Sequence, residues 1–142
     1  QHRRELIVNL ADQLVAQLQA AGVRRIYGIV GDSLNPVVDA VRRTGGSAKG
    51  GIDWIHVRHE ESAAFAAAAD AQLTGQLAVC AGSCGPGNLH LINGLYDAKK
   101  SHAPVLAIIG QVPSEEMGSD FGGFCRGHTC EQVGGLTTVF GK

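Results

Sequence analysis

Three stretches of the sequence carry residue types that could do chemistry. The first is His59-Glu60-Glu61, where two adjacent carboxylates stand between an apolar stretch and an alanine-rich one. A carboxyl in that position can move a proton, although an acidic pair at a helix start can also do no more than complement the positive end of the macrodipole. The second is Gly82-Ser83-Cys84-Gly85-Pro86-Gly87-Asn88. Glycines at a helix start let backbone N–H groups approach a phosphate. The stretch nevertheless lacks the Gly-Lys-Ser/Thr ending of a P-loop and the Gly-x-Gly-x-x-Gly spacing of a dinucleotide turn, so a tight turn that needs glycine accounts for it as well. The third is Cys125, His128 and Cys130. A structural zinc site wants four ligands and no fourth Cys or His follows, so no metal is expected there. Of the remaining cysteines, Cys80 ends an apolar stretch and reads as an inert core thiol, and Cys84 has no base beside it in sequence.

The elements that must position these residues follow from periodicity. Leu6, Leu10, Leu14, Val15, Leu18 and Ala21 share one helical face, which predicts a helix over 5–21. Residues 24–30 read as a strand, which breaks at Gly31-Asp32-Ser33 before a helix with Asp32 or Ser33 as its cap and Pro36 in its first turn. A glycine-rich connection over 44–51 leads to a second strand at 52–57, and the alanine-rich stretch predicts a helix over 60–74. A third strand at 77–81, a single helix over 88–100 and a fourth strand at 104–110 complete the pattern. Strands alternating with helices specify an α/β fold of three layers, α/β/α, around a parallel sheet. In such folds ligands gather at the carboxyl ends of the strands, here the Gly31 turn, the His59-Glu60 turn, the Cys84–Asn88 loop and Gln111.

Composition narrows the function. The chain has 142 residues and a net charge of -1, and its basic residues occur as scattered pairs, which argues against nucleic acid as a partner. No apolar run approaches the roughly 20 residues of a membrane span and no leader pattern is seen, so a cytoplasmic protein is expected. The first residue is Gln1 rather than a methionine, which suggests a processed, trimmed or partial sequence.

The order and spacing of His59-Glu60-Glu61, the 82–88 loop, Leu89-His90-Leu91-Ile92-Asn93-Gly94-Leu95-Tyr96-Asp97-Ala98 and 104–113 are more informative than any one of them. Together they resemble the N-terminal pyrimidine-binding domain of thiamine-diphosphate enzymes. Within that superfamily the resemblance is nearest to pyruvate oxidases and quinone-dependent pyruvate dehydrogenases, with acetolactate synthases further off. It covers about residues 5–119 and implies a thiamine-diphosphate-binding fold truncated at its C-terminus, a partial domain over 1–119 followed by a divergent, irregular tail over 120–142.

The resemblance implies a role for one carboxylate of the pair. The residue directly after the histidine, Glu60, would hydrogen-bond N1' of the cofactor's aminopyrimidine. It would drive the ring to its imino tautomer, whose 4'-nitrogen takes the C2 proton. Glu61 would cap the helix or face solvent. Gly31, Asp32, Ser33, Cys84, Gly85, Pro86, Gly87 and Asn88 would line the cofactor, with His59, His90 and Gln111 toward the substrate; packing alone accounts for Gly94 and Asp97. The substrate would be pyruvate or a related 2-oxo acid. Mg2+ and FAD would be bound in the parent enzyme by domains absent from this sequence, and the diphosphate by a domain of another subunit in a homodimer or homotetramer.

Two departures accompany the resemblance. Nothing here matches the Gly-Asp-Gly and Asn-Asn of the diphosphate-binding domain, so the chain alone is expected to be inactive. Where relatives carry Phe-Gln-Glu, this chain has Phe121-Gly122-Gly123-Phe124, which suggests that the sequence from about 120 onward is out of frame, differently spliced or engineered. An acetolactate-synthase-like carboligase and a non-catalytic truncated paralogue or interaction domain are the alternatives.

Overall fold

The computed structural model describes residues 9–111. The chain runs α1 (Leu10–Ala20), β1 (Arg25–Gly28), α2 (Asn35–Arg43), β2 (Asp53–His56), α3 (Glu60–Thr74), β3 (Ala78–Gly82), α4 (Pro86–His90), α5 (Ile92–Lys100) and β4 (Val105–Ile109), with single 3-10 turns at Asp32–Leu34 and Ser47–Lys49. All strand pairs are parallel, in the order β2-β1-β3-β4. The chain steps from β1 one way to β2, then crosses back over β1 to reach β3. Right-handed crossovers in opposite directions put their helices on opposite faces of the sheet.

The two cores agree with that rule. On one face α1 and α2 bury Val15, Leu18 and Val41 against Ile26, Val79 and Ala81 of the strands. On the other, α3 and α5 bury Ala63, Ala64, Ala67, Ala68, Ala71, Leu95 and Ala98 against Ala78, Cys80 and Val105. β3 is buried at all five residues because both of its faces are covered. The expected three-layer α/β/α architecture is what the chain forms.

Four local expectations are corrected. The helix expected over 5–21 does not run through Asn9, which is extended and whose side chain accepts from Asp12 N at 2.8 Å as the N-cap of α1, while residues 5–8 lie outside the described residues. Neither Asp32 nor Ser33 caps α2; they form a separate 3-10 turn, and α2 starts without a side-chain cap at Asn35, with Pro36 in its first turn. Glu61 does not cap α3. His59 does, its Nδ1 accepting from Glu61 N at 3.2 Å. The helix expected over 88–100 starts earlier, at Pro86, and is interrupted at Leu91. There the Leu91 N–H turns to the Asn88 carbonyl three residues back, at 3.3 Å, which tightens the turn and sends Leu91 wholly into the core.

α3 is fastened to the sheet by polar contacts as well as by its alanines. Tyr27 on β1 donates its hydroxyl to Asp70 Oδ2 at 3.1 Å, and Arg25 pairs with Asp70 Oδ1 at 3.4 Å. Burial, and next the hydrogen bond to Asp70, raise the Tyr27 hydroxyl above its ordinary range, so it stays a donor. Gly94 on α5 lets the two helices approach closely: a Cβ there would stand 2.5 Å from Ala64 Cβ and 2.7 Å from Phe65 N. That contact fixes how deep α3 sits, and α3 carries Glu60 at its first turn.

Candidate functional site

Because β1 leads outward to β2 on one side and β3 leads to β4 on the other, the gap between the carboxyl ends of β1 and β3 is the topological switch point. Ser33, beyond β1, and Ser83, beyond β3, meet across it with their hydroxyls 3.0 Å apart. Ser33 Oγ also accepts from Cys84 N at 3.0 Å. Gly31 lies against Ser83, for a Cβ there would stand 2.8 Å from Ser83 Cβ. Asp32 is exposed, its carboxylate 3.5 Å from Asn35 Nδ2.

Glu60 opens α3 with only 13% of its side chain exposed. Its Oε2 lies 3.1 Å from His90 Nδ1, the last residue of α4, and the two atoms share one hydrogen bond. Its Oε1 faces Gly87, where a Cβ would come within 3.0 Å of that oxygen and 3.6 Å of Ser83 Cβ. Gly87 thus joins the two halves of the site. A side chain there would fill the space between the carboxylate and the serine pair. The turn that brings Gly87 in depends on Gly85, which holds φ 75 and ψ -126, a combination that a side chain disfavours strongly.

His59 and His90 stack, with ring centroids 4.3 Å apart and planes 28° from parallel. His59 is therefore exposed and structural at the helix start as well as adjacent to the carboxylate. Glu61 turns away to accept from Asn93 Nδ2 at 2.6 Å. The structure separates the two carboxylates: one is held over the glycine turn, the other ties α3 to α5.

Of the other residues read from sequence, Asn88 is buried at 4% exposure and donates its side-chain amide to the Gly110 carbonyl at 2.7 Å, while its Oδ1 takes no protein partner. It links α4 to the end of β4, next to Gln111, which is exposed. Pro86 is exposed at the first position of α4 and Cys84 is half-buried. Cys80 lies in the middle of β3, its thiol pushed up to about 12 by burial, which fits the expected inert core cysteine. Sequence reading missed Ser83 as a partner; its only signal was its place inside the glycine-rich loop. Cys125, His128 and Cys130, and the tail over 120–142, lie outside the described residues.

The profile of a known family, the thiamine pyrophosphate enzyme N-terminal TPP binding domain, matches residues 8–134. The chain belongs to that family. Its relatives include pyruvate oxidase of Lactiplantibacillus plantarum, 50% identical over 107 residues, which are 75% of this chain and 17% of the relative. The large subunit of acetolactate synthase isozyme 2 of Escherichia coli is 40% identical over 113 residues, 80% of this chain and 20% of the relative. A 42.6 kDa protein from the isoamylase 3' region of Pseudomonas amyloderamosa is 63% identical over 112 residues, 79% of this chain and 27% of the relative. The chain thus spans between a sixth and just over a quarter of these relatives. Membership accounts for the parallel sheet and for a thiamine diphosphate-binding role. No helix among the described residues is long and apolar enough to cross a membrane.

Proposed function

We propose that this domain is the pyrimidine-binding half of a thiamine-diphosphate- and FAD-dependent enzyme that oxidatively decarboxylates pyruvate, with Glu60 as the activating carboxylate. The observation that carries the reading is the asymmetry of Glu60: Oε2 is engaged by His90, and Oε1 looks onto the Cβ-less backbone of Gly87. One shielded carboxylate oxygen beside an open glycine turn suits the edge of a flat heteroaromatic ring, so the residues present fit the pyrimidine half of the cofactor. When bound, thiamine diphosphate supplies a carbon nucleophile for the carbonyl of a 2-oxo acid.

The chain's own residues would contribute as follows. Glu60 Oε1 would hydrogen-bond ring N1', while His90 occupies Oε2. Gly87 and Gly85 would admit the ring, and the Ser33–Ser83 pair with Gly31 and Cys84 would wall the crevice where β1 and β3 end. The diphosphate and Mg2+ belong to a domain of another subunit, in a homodimer or homotetramer of a cytoplasmic enzyme, and FAD to a further domain. Similarity to a pyruvate oxidase at 50% identity, against 40% for an acetolactate synthase, supports the oxidase reading. An acetolactate-synthase-like carboligase is the second reading, favoured by the slightly longer stretch, 113 residues, over which that similarity extends.

The test is Glu60→Gln in an enzyme that contains the diphosphate-binding domain, with C2 proton exchange of bound thiamine diphosphate followed by NMR. The expected loss is at least about 100-fold, the lower end of what one positioned acid–base group contributes. Exchange at a near-normal rate removes the assignment. Flavin reduction on addition of pyruvate separates the oxidase from the carboligase.

A further inference from the structure

We propose that His59, Glu60 and His90 form a binding site for a divalent transition ion of the zinc type, which masks the Glu60 carboxylate. Each residue offers one ligand atom, and the three atoms lie within 4.8 Å of one another. Among the described residues this is the one group of three His, Cys, Asp or Glu side chains drawn so close. Two imidazole nitrogens and one carboxylate oxygen are the donor set of an open zinc site, which leaves the fourth position to water. Imidazole ligands favour zinc, copper or nickel over magnesium and calcium, so the site differs in kind from an oxygen-liganded diphosphate-metal site.

The trio needs little movement to close on an ion. Metal–ligand bonds of about 2.0–2.2 Å put neighbouring ligands of a tetrahedral ion roughly 3.4 Å apart. His59 and His90 are both exposed, so their rings can turn to an ion arriving from solvent, whereas Glu60 is already fixed beside them. The hydrogen bond between His90 Nδ1 and Glu60 Oε2 is exchanged for bonds to the shared ion, and His59 can reach it through Nε2 while its Nδ1 keeps accepting from Glu61 N. The positive end of α3 opposes a cation, but Glu60 and Glu61 in its first turn offset that field.

If the carboxylate has the role proposed above, an ion bound here competes with the cofactor, and that consequence alone rests on the earlier reading. The site itself is tested without thiamine. Zn2+ is titrated by calorimetry into the 142-residue chain carrying Cys125→Ser and Cys130→Ser, which removes the tail thiols as rival ligands. One equivalent is expected to bind, weakened at least about tenfold by His90→Ala and by Glu60→Gln. Circular dichroism verifies that each variant is folded. Because His59→Ala also removes a helix cap, His90→Ala is the deciding variant. Absence of one-to-one binding, or an affinity that His90→Ala leaves unchanged in the folded protein, overturns the proposal. Neither result bears on C2 proton exchange, so failure here is distinct from failure of the Glu60 assignment.

Discussion

The hydroxyls of Ser33 and Ser83 meet at 3.0 Å across the gap between β1 and β3, joining residues 50 positions apart in the chain. Ser33 holds a second partner, the Cys84 N–H, so the same oxygen fixes both the serine and the start of the glycine-rich loop. Ser33→Ala leaves a half-buried backbone donor without that acceptor. It is expected to cost about 1–3 kcal/mol of stability, against roughly 0.5–1.5 kcal/mol for Ser83→Ala, which removes one neutral bond. Urea unfolding of both variants checks the order; equal losses would mean that the Cys84 contact contributes nothing.

Gly94→Ala sets two effects against each other. Alanine gains up to about 1 kcal/mol of helix propensity over glycine, but overpacking typically costs about 1–3 kcal/mol. Packing should win, because the new Cβ would meet the Ala64 Cβ and the Phe65 backbone, which cannot turn aside. The expected result is a lower urea midpoint that Ala64→Gly partly restores. A stabilised Gly94→Ala variant would show that α5 can move away from α3 freely.

With Glu60 in the role proposed above, the two neighbouring carboxylates should behave differently in a protein that also carries the diphosphate-binding domain. Glu61 is bound to Asn93 and turned from the glycine turn. Glu61→Gln should therefore change C2 proton exchange by no more than about threefold, matching the ~0.5 kcal/mol of an ordinary peripheral substitution. A loss as deep as that of Glu60→Gln would mean the pair acts jointly.

Acid should loosen the turn before β2. Hydrogen bonds from the Ser47 hydroxyl and N–H hold the Asp53 carboxyl below its ordinary value of 3.8. Asp39, bonded by Arg42 and Arg43, is held low in the same way. A carboxyl depressed in the folded state adds stability above its unfolded pKa, near 3.9, and loses it as pH falls through the lower folded value. The urea midpoint should accordingly drop on moving from pH 5 toward pH 3, and less so in Asp53→Asn. An identical pH slope in the variant would remove Asp53 from the account.

Cys80 should resist alkylation. Its thiol is fully buried and pushed up to about 12, so thiolate is scarce at pH 8 and reagent cannot reach it. Iodoacetamide with mass spectrometry should label Cys84 before Cys80, and Cys80 only at the rate of global unfolding. Labelling of both at one rate would indicate local opening of β3.

The layered α/β fold was legible because parallel strands covered on both faces read as unbroken apolar runs, as β3 does, and alternate with helical patterns. Asn9 as a cap, three residues before Asp12, was legible too, had the apolar face not drawn the helix back to Glu5. His59 as the cap of α3 was not, since histidine lies outside the usual Ser, Thr, Asp and Asn preference. The break at Leu91 was hidden because its cause, a tightened turn between a buried asparagine and a buried leucine, is tertiary. Composition could not separate Glu60 from Glu61, whereas the structure does so through partners 30 and 32 residues away, His90 and Asn93.

The alanine face of α3 has a consequence for how sharply Glu60 is located. Ala63, Ala64, Ala67, Ala68 and Ala71 are buried, and alanine has no χ rotamers to lose on burial. The helix docks without freezing side-chain torsions, and it has no adaptable side chains with which to absorb a misfit. Any displacement of α5 or β1 is therefore passed to the first turn of α3 as a rigid-body shift, and the carboxylate moves with its neighbours rather than independently of them.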